Sequence, residues 1–291
     1  MVIRERPPLW FRLAKSLARK RMRGAYRLWQ FAEGRGWSHY WAQYTLRADM
    51  PILVPIYREE NRWDQEDIDE YEQPLIQDLL RQIERIGRDT VVFDCGAEIG
   101  IFSLKVLAGS SRVKRLVAFE PNPEPYQVLA ENYAKAPVPA TAHQKGVSDR
   151  LGRGTLLLPD YDDLDYARYV DMKEDGDFEV TTIDALGIRD AQMVVLKADV
   201  EGAEEQVIHG ARETLRTAGD FIAIVEAHPA VVKRTNCDPN RILRWLVEQR
   251  PCYFRVAEAP EAKIDLDRPF FAMFPNQTRT FNIIVSSKPL K

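Results

Sequence analysis

Residues 90–122 read TVVFDCGAEIGIFSLKVLAGSSRVKRLVAFEPN, and this stretch decides the fold. A β-branched and aromatic run ends at Asp94, after which Gly96 and Gly100 bracket a turn into an apolar helical segment. A second apolar strand, residues 116–119, ends at Glu120, twenty residues after Gly100. This order is typical of an α/β nucleotide-binding unit, in which an acid at the second strand end binds the ribose diol.

The spacing of the glycines and the position of Asp94 indicate which nucleotide is bound. The glycines follow G-x-x-x-G rather than the G-x-G-x-x-G of a dinucleotide site. Asp94 lies where a pyrophosphate would otherwise rest against a helix N-terminus. A carboxylate there repels phosphates and attracts a sulfonium and an ammonium group. The pattern therefore favours S-adenosylmethionine, and the structural alternative is an ordinary strand-turn-helix corner.

Composition predicts one globular domain with an accessory segment. The chain has 291 residues, of which 45% are hydrophobic and 29% are charged. Residues 1–50 carry eleven Lys or Arg against three acids, a net of +8, so the overall −3 leaves −11 for the rest. Nucleic-acid binding by the acidic body is not expected. Three cysteines without metal-site or disulfide spacing, and no signal peptide or long apolar run, predict a cytoplasmic protein.

The N-terminal residues predict a basic amphipathic helix. Its apolar residues recur at helical spacing between arginines and lysines. Such a helix packs its stripe on the main domain, or it lies on an acidic partner or an anionic membrane, here the inner membrane surface. The stripe consists of Trp10, Leu13, Ala14, Leu17, Ala18, Met22, Ala25 and Trp29.

Two further stretches lie between this helix and the first strand. Residues 31–63 are rich in aromatics and predict either a lid or substrate wall, or a layer of core. Residues 59–72 carry eight acids and predict a solvated face. A helix from Pro74 to a stop at Gly87 then leads into the first strand, which places a domain boundary between residues 1–68 and 69–291.

Alternating helix and strand signals after Glu120 predict a mainly parallel sheet with helices on both faces. Residues 150–183 interrupt the alternation and predict an insertion at the sheet edge, with short strands at 156–158 and 178–183 around an acidic tract. Ligands of such sheets bind beyond the carboxyl ends of the strands. Four of these ends carry acids, namely Asp94, Glu120, Asp199 and Glu226, and His228 follows the last of them.

The ordered motifs resemble those of a known family. DCGAEIG at residues 94–100, AFEPN at 118–122 and LKADVEGAE at 196–204 are similar to the signature blocks of the FkbM family of S-adenosylmethionine-dependent methyltransferases. TID at 182–184 and VEAH at 225–228 resemble two weaker blocks. The resemblance covers about residues 88–260 and leaves the first 70 uncovered.

This resemblance implies a class I methyltransferase fold, Rossmann-like, with seven strands of which the last is antiparallel, and O-methylation of a sugar or a small secondary metabolite. Glu98 departs from the family, which usually has Asn there, and could pair with the cofactor ammonium. The implied cofactor-binding residues are Gly96, Ala97 and Gly100 at the methionine part, Asp94 in support of that turn, Glu98, Glu120 at the ribose with the neighbouring Asn122, and Ser148 or Asp149 near the adenine.

The expected chemistry is attack of an acceptor oxygen on the methyl group, assisted by removal of a hydroxyl proton. His228 is the first candidate for the base because imidazole titrates near neutral pH, followed by Asp199 and Glu226. A divalent cation held by Asp199, Glu201, Glu226 and His228 is a less favoured alternative. Two other functions remain open, a nicotinamide oxidoreductase and a catalytically silent binding protein held at a membrane by its N-terminus.

Overall fold

The computed structural model describes residues 1–158 and 168–290. The N-terminal part contains a small sheet in the order β1-β2-β3 together with four helices. Its elements are β1 (Ile3–Arg4), α1 (Leu9–Arg19), α2 (Ala25–Glu33), β2 (Trp41–Thr45), β3 (Pro51–Pro55), α3 (Gln65–Glu70) and α4 (Gln73–Ile86). As predicted, α4 has Pro74 in its first turn and ends at Gly87, whose φ of 69° suits a glycine C-cap.

The alternation of strands and helices predicted after residue 90 is confirmed. The elements are β4 (Thr90–Cys95), α5 (Ile101–Gly109), β5 (Val113–Phe119), α6 (Pro123–Tyr133), β6 (Ala140–His143), β7 (Gly146–Val147), β8 (Gly152–Leu157), β9 (Tyr169–Met172), β10 (Phe178–Thr181), β11 (Met193–Ala198), α7 (Glu204–His209), α8 (Arg212–Thr217), β12 (Asp220–Ala227), α9 (Pro229–Thr235), α10 (Pro239–Gln249), β13 (Tyr253–Val256) and β14 (Phe281–Ser286).

The central sheet has seven strands in the described part of the chain, in the order β13-β14-β12-β11-β4-β5-β6. Strands β12, β11, β4, β5 and β6 are parallel to one another, whereas β14 is antiparallel to β12 and β13. Alternate residues of β12 enter different cores, with Ile222 and Ile224 on one face and Phe221 and Ala223 on the other. Burial on both faces explains why these strands are continuously apolar. The predicted fold class, including its antiparallel last strand, is confirmed.

Residues 146–181 contribute a second, four-stranded sheet in the order β7-β10-β8-β9. These strands pair with one another and follow β6, the edge strand of the central sheet, and the predicted insertion at residues 150–183 stays a prediction. The two short strands after α6 belong to different sheets, β6 to the central one and β7 to the small one. Strand β9 falls within the predicted acidic tract, of which residues 159–167 lie outside the described residues.

The predicted single helix over residues 10–29 is wrong, because α1 and α2 are separate helices. Between them Arg21 and Gly24 have φ values of 52° and 115°, which a helix cannot accommodate. Part of the predicted stripe is also exposed, notably Leu13 and Met22, whereas Phe11, Ala14 and Trp29 are buried. In the part of the chain that the structure describes, no helix is long and apolar enough to cross a bilayer.

The N-terminal elements cover one face of the central sheet. Phe11, Trp29 and Leu53 share a core with Val92 and Ile222 of the sheet. Asn132 of α6 fastens this layer, because its side chain accepts from Leu53 N at 2.7 Å and donates to Leu53 O at 3.0 Å. Residues 31–63 therefore provide a layer of core, one of the two predicted alternatives.

The acidic stretch before α4 is only in part the predicted solvated face, because four of its eight acids are exposed and the other four are partly buried. Lys15 and Arg19 of α1 pair with Asp67 and Asp64, each at 2.6 Å. Lys105 of α5 donates to the carbonyl oxygens of Ile68, Asp69 and Tyr71, at 2.7 to 3.0 Å. These contacts hold residues 64–72 against α1 on one side and α5 on the other.

Candidate active site

A cavity of about 600 Å³ lies beyond the carboxyl ends of β4, β5, β11 and β12. This is where a parallel α/β sheet places its ligands. Gly100, Ser148 and Asp149, three of the predicted site residues, do not line it. The predicted residues that do line it are Asp94, Gly96, Ala97, Glu98, Glu120, Asn122, Asp199, Glu201, Glu226 and His228.

Glu120 is held in a fixed position at the end of β5. Its two carboxylate oxygens accept from Glu98 N at 2.9 Å and Asn122 N at 2.8 Å, which leaves further lone pairs of both oxygens for a ligand diol. Burial is the main cause that raises the pKa of Glu120 to about 7, and the nearby Glu98 carboxylate adds to it. Asn122 also caps α6 by accepting from Glu124 N.

The turn after β4 lies in close contact with the backbone that follows β11, the neighbouring strand of the sheet. Gly96 has a φ of 78°, and a Cβ there would lie 1.8 Å from the carbonyl oxygen of Asp199. A side chain at this position would therefore push apart the two loops that line the cavity. Asp94 at the strand end is 1% exposed, and its Oδ2 accepts from Ser103 N at 3.3 Å. Among the described residues its Oδ1 has no hydrogen-bond partner.

Gly100, Ser148 and Asp149 have surroundings different from those predicted. Gly100 starts α5, and its missing side chain makes room for Leu129 of α6, which a Cβ would approach to 2.7 Å. A glycine is therefore needed at position 100 for the packing of α6. Ser148 and Asp149 line a smaller neighbouring depression, while the preceding residues 145–147 line the main cavity.

Glu98 faces the N-terminal segment. Its carboxylate accepts from Asn61 Nδ2 at 3.0 Å and lies 3.6 Å from the Arg58 guanidinium, which also pairs with Glu60. The φ of Glu98 is 50°, an uncommon value for a residue with a side chain. Arg58 and Asn61 therefore bind the carboxylate that departs from the family pattern, and its contact with a cofactor ammonium stays a prediction.

Three carboxylates lie together in the part of the cavity beyond β11 and β12. Oxygens of Asp199, Glu201 and Glu226 lie within 4.8 Å of one another, and His228 does not belong to this group. Burial, together with the charges of Asp199 and Glu201, raises the pKa of Glu226 well above its usual value. The buried Glu204 fixes the turn, because its Oε1 accepts from Val200 N and Gly202 N at 3.2 and 2.9 Å.

His228 caps the helix that follows β12. Its Nδ1 accepts from Ala230 N at 3.2 Å and from Val231 N at 3.4 Å. A neutral imidazole whose Nδ1 accepts carries its proton on Nε2. In this tautomer Nε2 donates a hydrogen bond and does not take up a proton. His228 as the base stays a prediction, and the two contacts at Nδ1 favour a donor role.

Lys197 is a site residue that the sequence analysis missed. It lies in β11 with 2% of its surface exposed, and its Nζ is 2.9 Å from Asp199 Oδ2 and 3.2 Å from Glu72 Oε1. The ammonium also lies 4.8 Å from the centre of the Phe102 ring. A signal was present, because a single lysine in the apolar run MVVLKA requires buried anionic partners.

The N-terminal segment supplies a wall of the cavity, the second of the predicted alternatives for residues 31–63. Arg58, Glu60 and Trp63 line it, followed by Tyr71 and Glu72 from just before α4. The Trp63 and Tyr71 rings are 5.5 Å apart. The position of these aromatics in the cavity depends on long-range packing, which local sequence patterns do not encode.

Comparison with known proteins agrees with the motifs. The family model Methyltransferase FkbM domain matches residues 94–256. Hexuronic acid methyltransferase AglP of Haloferax volcanii is 29% identical over 183 residues, covering 62% of this chain and 69% of the relative.

Among solved structures, Methyltransferase FkbM from Methylobacillus flagellatus is 16% identical with a TM-score of 0.42, covering 68% of this chain and 43% of that one, less than half of its length. M. jannaschii TYW2 in complex with AdoMet is 13% identical with a TM-score of 0.41, covering 84% of each chain. Since the family model matches more than half of the sequence, the chain belongs to the FkbM family of methyltransferases.

Proposed function

We propose that this methyltransferase uses S-adenosylmethionine and methylates a hydroxyl group of a sugar or a small secondary metabolite. One observation carries the proposal: a single cavity runs along the sheet edge from Glu120 and Asp94, at β5 and β4, to Glu226 and His228, at β12. The first pair suits a nucleoside that carries positive charge, and the second pair suits an acceptor that loses a proton.

The residues at the first end fit the cofactor. Glu120 offers two fixed carboxylate oxygens to the ribose hydroxyls, as its contacts with Glu98 N and Asn122 N allow. Asp94 Oδ1 is a buried acceptor without a partner among the described residues, and it would be satisfied by a donor of the methionine part. When bound, the cofactor supplies a methyl group already activated on a sulfonium. The protein therefore has to align the acceptor and remove its proton.

Two side chains of β12 and the residues after it would remove the proton and align the acceptor. Glu226 has a raised pKa, so its ionised form is a stronger base than an ordinary carboxylate and is the group that takes the proton. His228, whose Nδ1 is occupied by two backbone amides, donates from Nε2 and orients the acceptor oxygen. Asp199 is paired with Lys197 and contributes by position rather than by proton transfer.

The acceptor class is proposed from two sources of support. The named substrate of the curated relative is a hexuronic acid, which offers hydroxyl and carboxylate oxygens. In this chain, Asp199, Glu201 and Glu226 lie together where the acceptor would bind. Three carboxylates attract hydroxyl donors and repel a carboxylate of the acceptor. A hydroxyl is therefore the proposed nucleophile.

A labelled-methyl assay tests the proposal. The purified protein is incubated with methyl-labelled S-adenosylmethionine and matched pairs of glycosides and glycosiduronates. We expect label in a sugar product that survives mild alkali, because a methyl ether is stable there and a methyl ester is not. Alkali release of labelled methanol would assign the carboxylate instead. Cofactor binding with no transfer to any acceptor would favour the silent binding protein.

Cofactor affinity is expected to fall as the pH is lowered. Ribose binding requires the ionised form of Glu120, and its pKa of about 7 lies far above the usual range. Below pH 7 the dissociation constant of S-adenosylmethionine should therefore rise, approaching about tenfold per pH unit. Calorimetry between pH 6 and 8 measures this change, and NAD should give no binding heat.

Two variants serve as controls for this pH dependence. Glu120→Gln should weaken binding by about 1.5–3 kcal/mol and flatten the profile, since no titrating group remains. Glu131→Gln, an exposed glutamate of α6, should behave as wild type. An unchanged pH profile in Glu120→Gln would remove Glu120 from the ribose role.

A further inference from the structure

The exposed apolar side chains of this protein are concentrated at the N-terminus. Thirteen large hydrophobic residues of the described chain are exposed, and nine of them lie within the first 37 residues. Such clustering marks an interaction surface, whereas single exposed apolar residues are normal. The nine are Met1, Val2, Ile3, Leu9, Leu13, Met22, Tyr26, Phe31 and Trp37, and we call them, with the intervening cations, the N-terminal surface.

The outward face of α1 is both apolar and basic. Phe11 and Ala14 are buried in the core and fix the orientation of the helix. Leu9 and Leu13, one turn apart on the opposite face, are 77% and 52% exposed. The exposed Arg12 is adjacent to Leu13 on the same face. This side of α1 therefore remains uncovered although the helix itself is firmly packed.

The cations of the N-terminal surface differ from the two that face the protein. Lys15 and Arg19 are paired with the acids of α3, as described above. Among residues 1–158 and 168–290, no acid pairs with the exposed cations Arg12, Lys20, Arg21, Arg23 and Arg27. The chain therefore neutralises its inward basic residues and leaves the outward ones for another partner.

Exposed aromatic residues lie at the end of α2 and just after it. The Arg35 guanidinium lies 3.7 Å from the centre of the Phe31 ring and 5.8 Å from that of Trp37. The two rings are 5.6 Å apart and both are about half exposed. An arginine between exposed aromatics combines a cation with amphipathic rings, a combination that suits the headgroup region of a bilayer.

We propose that the N-terminal surface binds the face of an anionic lipid bilayer. The apolar side chains alternate with cations over two helices, a pattern that suits a membrane interface. The charge is complementary to anionic headgroups. The remaining 241 residues carry a net −11, so the same lipids repel them. This repulsion orients the molecule with its N-terminal surface towards the bilayer. This inference is independent of the methyl-transfer reaction.

Vesicle flotation with the full-length chain tests the proposal. We expect the protein to float with vesicles that contain about one third phosphatidylglycerol, and to remain behind with pure phosphatidylcholine. Raising the salt concentration should weaken binding, because the attraction of the cations is screened. Deleting residues 1–27 is not a suitable test, since Phe11 and Ala14 belong to the core.

Point variants on the exposed face separate lipid binding from folding. The pair Arg12→Gln and Lys20→Gln should lower the partition coefficient about 30-fold, the scale for loss of two basic residues near an anionic surface. The pair Leu9→Ser and Leu13→Ser should lower it at least tenfold through lost apolar burial. The matched controls are Lys114→Gln with Lys135→Gln, and Leu151→Ser, which are exposed elsewhere and should float as wild type.

Two results would overturn the proposal. The first is equal flotation of wild type with anionic and neutral vesicles, or none with either. The second is self-association in the ultracentrifuge that the same variants abolish while lipid binding is absent, which would assign the surface to a second copy of the chain. Unfolding midpoints are measured in parallel and should not change, because the substituted side chains are exposed.

Discussion

Glu226→Gln is expected to lower kcat by about 10²–10⁴-fold, the range for loss of a general base. The amide keeps the size of the side chain but cannot take a proton from the acceptor. Cofactor affinity should stay near wild type, because Glu226 lies in β12, three strands away from β5 and Glu120. A loss confined to kcat indicates an interaction made in the transition state.

Single-turnover methyl transfer at saturating cofactor measures this effect, with the exposed Glu248→Gln as matched control. His228→Ala should cost less, about tenfold, because it removes one hydrogen-bond donor. If His228→Ala lowers kcat by the larger factor and Glu226→Gln leaves kcat unchanged, the histidine is the base, as first predicted from the sequence. If a chelator abolishes turnover and magnesium restores it, the three carboxylates hold a cation.

Lys197→Met is expected to destabilise the fold by about 3–5 kcal/mol, the scale for removing one partner from a buried ion pair. Methionine retains much of the apolar contact with Phe102, but it leaves Asp199 and Glu72 facing each other without the ammonium. Glu72 also has a φ of 45°, a strained conformation that its contact with Lys197 helps to hold.

Urea unfolding followed by tryptophan fluorescence gives the free energy of unfolding of this variant. The exposed Lys114→Met serves as control and should lie within about 0.5 kcal/mol of wild type. The additional substitution Glu72→Gln should recover part of the loss, because it removes one of the two carboxylates. A Lys197→Met protein as stable as wild type would show that the ion pairs of Lys197 with Asp199 and Glu72 contribute no net stability.

The sheet and one side of the site could be predicted because their signals are local. Parallel strands buried on both faces give continuous apolar runs, and their carboxyl ends meet at one edge. The acids at the carboxyl ends of β4, β5, β11 and β12 were therefore expected to converge, and Asp94, Glu120, Asp199 and Glu226 all line the same cavity.

The remaining features depend on contacts that the sequence pattern does not show. Helical periodicity in residues 10–29 continues across the break at Arg21 and Gly24, so it predicted one helix where there are two. The outward position of Leu13 follows from the burial of Phe11 on the opposite face. Glu72 and Lys197 are far apart in sequence, and only tertiary packing brings them together.

The contact between Glu72 and Lys197 has a consequence for biosynthesis. The two residues are separated by 125 positions, so the N-terminal layer leaves the ribosome well before the strand it must pair with. At about 5–20 residues per second, this interval is about 6–25 s. Leu53 is likewise synthesised before its hydrogen-bond partner Asn132, which follows 79 residues later. During that time the apolar strands β2 and β3 have no sheet to cover, so their apolar surface stays exposed in the nascent chain.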